Sequence, residues 1–325
     1  MNPTEGLIKE STVRKYLAVM VAHGTIGAIA KVHRALVLRL DAVATASVLR
    51  VYKKARLELI SRINEAERRG LTGESASAMM FLRQVSEGIE EMGRRLKEVS
   101  RTAVTHSAME GGSASLAAAE FEAMKMGFGI LVNPEIIARI NGASSRYIGS
   151  ALANSESSLL TYTKAGVAAV EDAITVSIVS GDNYFNTAQK VKKVVEEKVL
   201  GQGFPEWKAM RIVRTELMRA YNDVSMETMA SLAASGQVEV HKKWIAVLDN
   251  RTGDDSKVLN GQVKRLDEPF ELPGGDGVMA PPERPNSRCV VVPWLHKGDE
   301  PYYDHPVTEA EISGWYNATG AAQAR

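Results

Sequence analysis

A single cysteine, Cys289, stands in 325 residues, so no disulfide can close within the chain and a cysteine-stapled scaffold is excluded. Membrane-spanning helices need about 18 or more consecutive apolar residues, and no run reaches that length. The nearest, residues 17–30, is broken by His23, Gly24 and Thr25. Arg14 and Lys15 precede it and Ala28-Ile29-Ala30 resembles a small-residue cleavage site, which is the pattern of a secretory leader. Glu5 and Glu10 lie ahead of it, however, and nothing downstream looks secreted, so the segment reads as the apolar face of a buried helix. On that reading the sequons at Asn250 and Asn317 carry no glycosylation meaning. Net charge is almost absent as well, with 40 Lys+Arg against 39 Asp+Glu, and aromatic residues make up only 6%. Apolar residues reach 45%, enough for one or two real cores, since a chain of this size buries roughly three quarters of its unfolded surface.

The near-zero total hides an uneven distribution. Residues 1–110 hold 18 basic and 12 acidic side chains, and residues 31–69 alone hold ten and four, which accounts for the whole excess. That segment has no Pro or Gly, and Leu36, Leu40, Val43, Leu49, Tyr52, Leu59 and Ile63 recur at mostly helical spacing. It predicts one helix ending at Gly70 and on the order of 58 Å long. Arg50, Lys53, Lys54 and Arg56 are its candidate contacts to DNA or an acidic partner. The competing expectation is a solvated face held by Glu58 with Arg62 and Glu65 with Arg69, and no aromatics interleave for base stacking.

A second amphipathic helix is expected over residues 75–101, with Leu82, Val85, Ile89, Met92, Leu96 and Val99 on its apolar stripe. The Gly-Gly-Ser-Ala-Ser run after Glu110 reads as a break or hinge. Further helices are expected at 119–126, 134–140, 159–179 and 190–200. Beyond Phe204 the chain changes character: nine of eleven prolines and all four tryptophans lie there. The expected organisation is therefore a mostly helical region over 1–203, a compact domain over 204–297 and an extension over 298–325. The fold class is α+β, a long-helical N-terminal region followed by a small α+β domain with short strands and long loops.

The compact domain opens with a helix begun by Pro205 and stopped by Gly236, with Val213, Leu217, Tyr221 and Val224 as its apolar face. Arg211, Thr215, Arg219 and Asn222 form a polar stripe that either contacts the loops that follow or stays wet. Residues 238–248 read as a strand, the rest as turns with a hairpin signal at Asn260-Gly261, and Val290–Val292 as a last short strand. Gly274, Gly275 and Gly277 are followed by no Gly-Lys-Ser/Thr, and no Gly-x-Ser-x-Gly or His-Glu-x-x-His occurs. His296 and His305 lie among acids in one run, a poor ligand set for a metal.

An ordered series of short elements runs through this region. Arg214-Thr215-Glu216 and Tyr221-Asn222 share a helix, then come Lys243-Trp244, Asp249-x-Arg251-Thr252, Leu259-Asn260-Gly261-Gln262-Val263, Pro269-Phe270, Pro281-Pro282 and Pro285-Asn286-x-Arg288-Cys289. In this order they resemble the Mu-F-like family of tailed-phage head morphogenesis, or minor head, proteins. The resemblance implies a virion structural component, made in the host cytoplasm and placed in the capsid interior or at the portal vertex. Its partners would be the portal protein or the major capsid protein or both, with packaged double-stranded DNA a further candidate, met by multiple copies in head assembly, packaging or genome delivery. In that family the position of Ser256 is often His or Cys, and the last element usually reads His-Pro-x-Cys-Arg-Cys. Here Arg284 and Ser287 take the His and first Cys positions, so no metal, no cofactor and no catalytic residue is expected.

Asp249 and Arg251, near Arg214 and Glu216, admit two readings. One is an enzyme or toxin-type effector; the other is a structural network in which Asp249 accepts from backbone amides and Arg251 or Arg288 ties loops. The structural reading is preferred. A third alternative is a membrane-active ejection protein using residues 17–30 and the amphipathic helices.

Overall fold

The computed structural model describes residues 8–23, 27–69, 75–128, 133–180, 182–201, 205–272 and 277–295. The fold is α+β. Seven α-helices, α1 (Glu10–His23), α2 (Gly27–Arg69), α3 (Ser75–Lys125), α4 (Pro134–Val179), α5 (Tyr184–Val194), α6 (Glu206–Ala233) and α7 (Asp254–Leu259), are found among the described residues. Five short strands follow α6: β1 (His241–Ile245), β2 (Val263–Arg265), β3 (Phe270–Glu271), β4 (Gly277–Val278) and β5 (Val290–Trp294). Two compact units form. The first takes residues 1–42, 103–151 and 215–325, the second 43–102 and 152–214.

In the first unit the 103–123 part of α3 is almost wholly buried, with Val104, Ala108, Ala114, Leu116, Phe121 and Ala123 in the core. The expected hinge after Glu110 is not there: α3 runs unbroken through it. A Cβ on Gly111 would lie 2.5 Å from the Tyr221 carbonyl oxygen, and one on Gly112 would lie 2.3 Å from Ile8 Cδ1. The two glycines therefore let α3 approach the backbone of α6 and the segment before α1, and burial outweighs their poor helix propensity of about 1 kcal/mol each. Ser107 Oγ donates to the Leu217 carbonyl at 2.8 Å between the same helices. Of residues 17–30, 17–23 fall on α1 and 27–30 on the start of α2, where Met20 and Ala28 to Ala30 are buried; 24–26 lie outside the described residues.

The sheet has the order β2-β1-β5 and is antiparallel throughout, with Lys243 opposite Val292 and Val263. β1 ends earlier than the sequence pattern suggests. Its continuation Ala246 donates its N–H to Asn260 Oδ1 at 2.9 Å, and Leu248 takes a left-handed φ of 61°, which turns the chain out of the ladder. Asn260-Gly261 is no hairpin tip. α7, missed among the turn residues, precedes it, and Gly261 at φ 87° returns the chain to β2 while donating to the Trp244 carbonyl.

The second unit is helical. Tyr52, Leu59 and Ile63 of α2 bury with Val85, Ile89, Met92 and Leu96 of α3, as their periodicity predicts, whereas Val43 and Leu49 stay 59% and 38% exposed and Val48 is buried instead. The helices expected at 134–140 and 159–179 are one element, α4, whose Ser155 hydroxyl bonds that of Ser100 on α3. Glu58 turns away from Arg62 to Arg95 at 3.0 Å, while Arg62 donates to the Gln84 carbonyl at 2.8 Å. The expected 190–200 helix instead begins at an Asn183 N-cap and continues past α5 as a π-helical turn, Val195–Val199. Glycines 274 and 275, His296, His305 and the glutamate–arginine pair at 65 and 69 lie wholly or in part outside the described residues.

Candidate functional site

The motif residues converge in the first unit on a loop module built against α6 and β1. Asn222, fully buried on α6, donates to the Met218 and Cys289 carbonyls at 2.8 and 3.1 Å and accepts the Val291 N–H at 2.9 Å. One amide thus serves both its own helix and the start of β5. One turn or two earlier, Thr215 Oγ1 accepts the Asn286 N–H at 3.2 Å, beside Pro285. Thr215 and Asn222 of the polar stripe therefore face the loops, whereas Arg211 lies exposed over the Trp207 ring. Glu216 is held by Arg219 at 3.0 Å through both carboxylate oxygens. Arg214, at the edge of the second unit, donates to Thr45 at 3.2 Å.

Asp249 follows β1 and forms a tight turn. Its carboxylate accepts the Arg251 N–H at 2.9 Å and the Thr252 hydroxyl at 3.2 Å, and its own N–H goes to Thr252 Oγ1 at 2.9 Å. Arg288 closes the arrangement with a two-pronged contact, Nη1 and Nη2 donating to the two Asp249 oxygens at 2.7 and 2.6 Å. The Arg251 guanidinium lies outside, 3.8 Å from Asp249 and 3.9 Å from Asp41. Burial alone would raise the Asp249 pKa, but the Arg288 hydrogen bonds, the Arg251 N–H and the two guanidinium charges outweigh it and hold the group at about 2. A carboxylate so depressed and so fully engaged is a poor general base, which must hold its proton with a pKa near the working pH.

A second polar knot was not legible as such. Glu283, only 3% exposed, accepts from Ser256 Oγ at 2.5 Å and from Ser287 Oγ at 2.7 Å, with Cys289 Sγ at 3.9 Å and Arg284 Nε at 3.6 Å. Arg284 also donates to Ser256 and packs against Gly253, where a Cβ would lie 1.9 Å from its Nη2. Ser256, Arg284, Ser287 and Cys289 are the positions where the resemblance places metal ligands, and they do come together. The donor set does not fit zinc: it offers one thiol, one carboxylate already bonded to two hydroxyls, and a guanidinium. Burial, the largest influence, pushes the Cys289 thiol up, away from the thiolate form that a metal requires. Among the described residues no group of three or more His, Cys, Asp or Glu is placed to hold a metal.

Trp244 is fully buried under this module, its ring meeting Phe270 edge-on at 5.1 Å. Its neighbour Lys242 is buried too and donates to the Leu266 and Met279 carbonyls at 3.2 and 2.9 Å, tying two loops to the central strand. Nothing in the sequence pattern marks Glu283 or Lys242 as ties, although a charge inside a strand, as at Lys242, was a signal; Asn222 was marked by the polar stripe of α6 and does meet the following strand. Arg50, Lys53, Lys54 and Arg56 lie exposed on the second-unit part of α2, with Lys54 3.8 Å from Glu58.

An α+β chain whose last module is a set of polar-braced loops around a short tryptophan-bearing sheet is the class these observations define. Residues 168–292 match the family described as phage Mu protein F like protein. No curated protein and no solved structure matches the chain.

Proposed function

We propose that the chain is a minor head protein of a tailed phage, carried in the virion in several copies and acting in head assembly, DNA packaging or genome delivery. Residues 204–297 are its docking domain, set between the helical region 1–203 and the extension 298–325. Its partner is the portal protein or the major capsid protein at the portal vertex or inner capsid wall. The observation that carries this reading is the family match over residues 168–292. The geometry favours docking over turnover, because Asp249, Arg288, Glu283 and Asn222 spend their hydrogen bonds on the module itself. Among the described residues no helix is long and apolar enough to cross a membrane.

The test is quantitative mass spectrometry of purified particles and precursor heads, scaled to the portal protein. A few copies per portal ring are expected. Absence from both particles and precursors overturns the reading.

A further inference from the structure

The basic part of α2 has an exposed face with a shape as well as a charge. Arg56, Leu57, Ile60, Ser61, Asn64 and Arg68 recur at the three- and four-residue spacing of one helix side and line a cleft of about 380 Å³. Lys53 lies on the same side, one turn before Arg56 and Leu57. The far wall is the π-helical turn after α5, which presents Glu196. Lys192, on the preceding turn, donates to Asn64 Oδ1 at 3.3 Å. All these residues belong to the second unit.

Several exposed cations elsewhere on the unit are paired with carboxylates. Arg83, Arg94, Arg95 and Arg101 each have a carboxylate at 3.1 Å or closer, and Lys54 has Glu58 at 3.8 Å. Arg68 Nε donates only to the Asn64 carbonyl, and no carboxylate lies within ion-pair distance of Arg56, Arg68 or Lys53 among the described residues. Guanidinium, ammonium, hydroxyl and amide donors around a floor of aliphatic carbon make up the set that grips a phosphate–sugar backbone. No aromatic side chain lines the cleft, which disfavours single strands held by stacking. Arg56 and Arg68 are twelve residues apart, about 18 Å along the helix axis, long enough to reach phosphates on both sides of a groove about 12 Å wide.

We propose that this face of α2 is a phosphate-binding cleft for the backbone of double-stranded DNA, with Arg56 and Arg68 as its main contacts and Lys53 as an outer one. It rests on the reading of the chain as a head protein and names which basic residues meet the nucleic acid. Recognition is independent of base sequence, as packaged DNA requires. Glu196 opposes binding and sets its strength.

Fluorescence anisotropy with the full chain and a labelled 30-base-pair duplex, from about 50 to 300 mM NaCl, tests it. Binding should weaken linearly in log–log form, and Arg56→Ala/Arg68→Ala should reduce the slope by about 1.8 and the affinity at 100 mM by roughly tenfold or more. The control Arg83→Ala/Arg94→Ala removes the same charge from paired positions and should stay near wild type. Glu196→Gln should bind more tightly, a gain that misfolding cannot imitate. No duplex binding at 50 mM, equal losses in the control pair, tighter binding of a single strand of equal length, or equal competition by polyglutamate would each overturn the proposal. Particle content decides the head-protein reading separately: a chain found in particles that ignores duplex DNA keeps that reading and removes this one.

Discussion

Replacing Asp249 with Asn tests whether the carboxylate braces loops or serves chemistry. In the wild type its pKa moves from 3.8 to about 2, roughly 2 kcal/mol at about 1.4 kcal/mol per unit. With 33% of the side chain exposed, solvent screening reduces this to about 1–1.5 kcal/mol. The substitution removes more than that at neutral pH, because Arg288, with only 6% of its side chain exposed, is left as a buried cation without its counter-ion. The total expected loss is about 3 kcal/mol. The pH dependence carries a definite sign. A depressed carboxylate contributes stability that is complete above its unfolded pKa, near 4, and lost as pH falls towards 2. Urea unfolding followed by tryptophan fluorescence should therefore show the gap between wild type and Asp249→Asn narrowing by about 1–1.5 kcal/mol between pH 5 and pH 2. Combining it with Arg288→Met should cost less than the sum of the two, by about 1–3 kcal/mol. A variant as stable as wild type at pH 7, a gap that widens in acid, or strict additivity would refute the reasoning.

Glu122, buried on α3, accepts the Leu295 N–H at 2.6 Å, and burial raises its pKa from 4.5 to about 7 despite that bond and the charges of Lys243 and Lys125. Its stabilising contribution is complete below about 4.5 and lost as pH rises through 7, so Glu122→Gln should match wild type at pH 4.5 and exceed it by about 2–3 kcal/mol at pH 8 in thermal or urea unfolding. Gly111→Ala should destabilise by about 2 kcal/mol or more, because its Cβ would meet Tyr221 backbone at 2.5 Å, while Gly142→Ala, with open space around it, should gain about 0.5–1 kcal/mol; differential scanning calorimetry compares the two. Asn222→Leu leaves the Cys289 carbonyl and the Val291 N–H without their partner and should cost about 2–4 kcal/mol, with hydrogen exchange rising first at Val291.

Much of the helical material was legible because burial on a helix repeats every 3.6 residues. Val85, Ile89, Met92 and Leu96 follow that rhythm and are buried. The rhythm fails where a local signal has a distant cause. The glycine pair at 111 and 112 looks like a break until Tyr221, more than a hundred residues on, is seen to occupy the space a side chain would need. Residues 254–259 read as turn because a six-residue helix offers too few repeats to stand out from its Asp and Gly neighbours. The order of the motif elements pointed to the loop module. Glu283, which no pattern marks, became visible as its centre only when Ser256 and Ser287 were brought to it.

Residue order alone determined the α+β class, the basic excess on α2 and the series of elements that resembles the Mu-F-like family, since each is a local property of composition or spacing. Only the tertiary structure decided that Arg288 reaches Asp249 across 39 positions and that residues 103–151 share a unit with residues 215–295. It also decided which cations of α2 have carboxylate partners. Such choices depend on which surfaces lose water together, and that is a property of the packed chain and of no single segment.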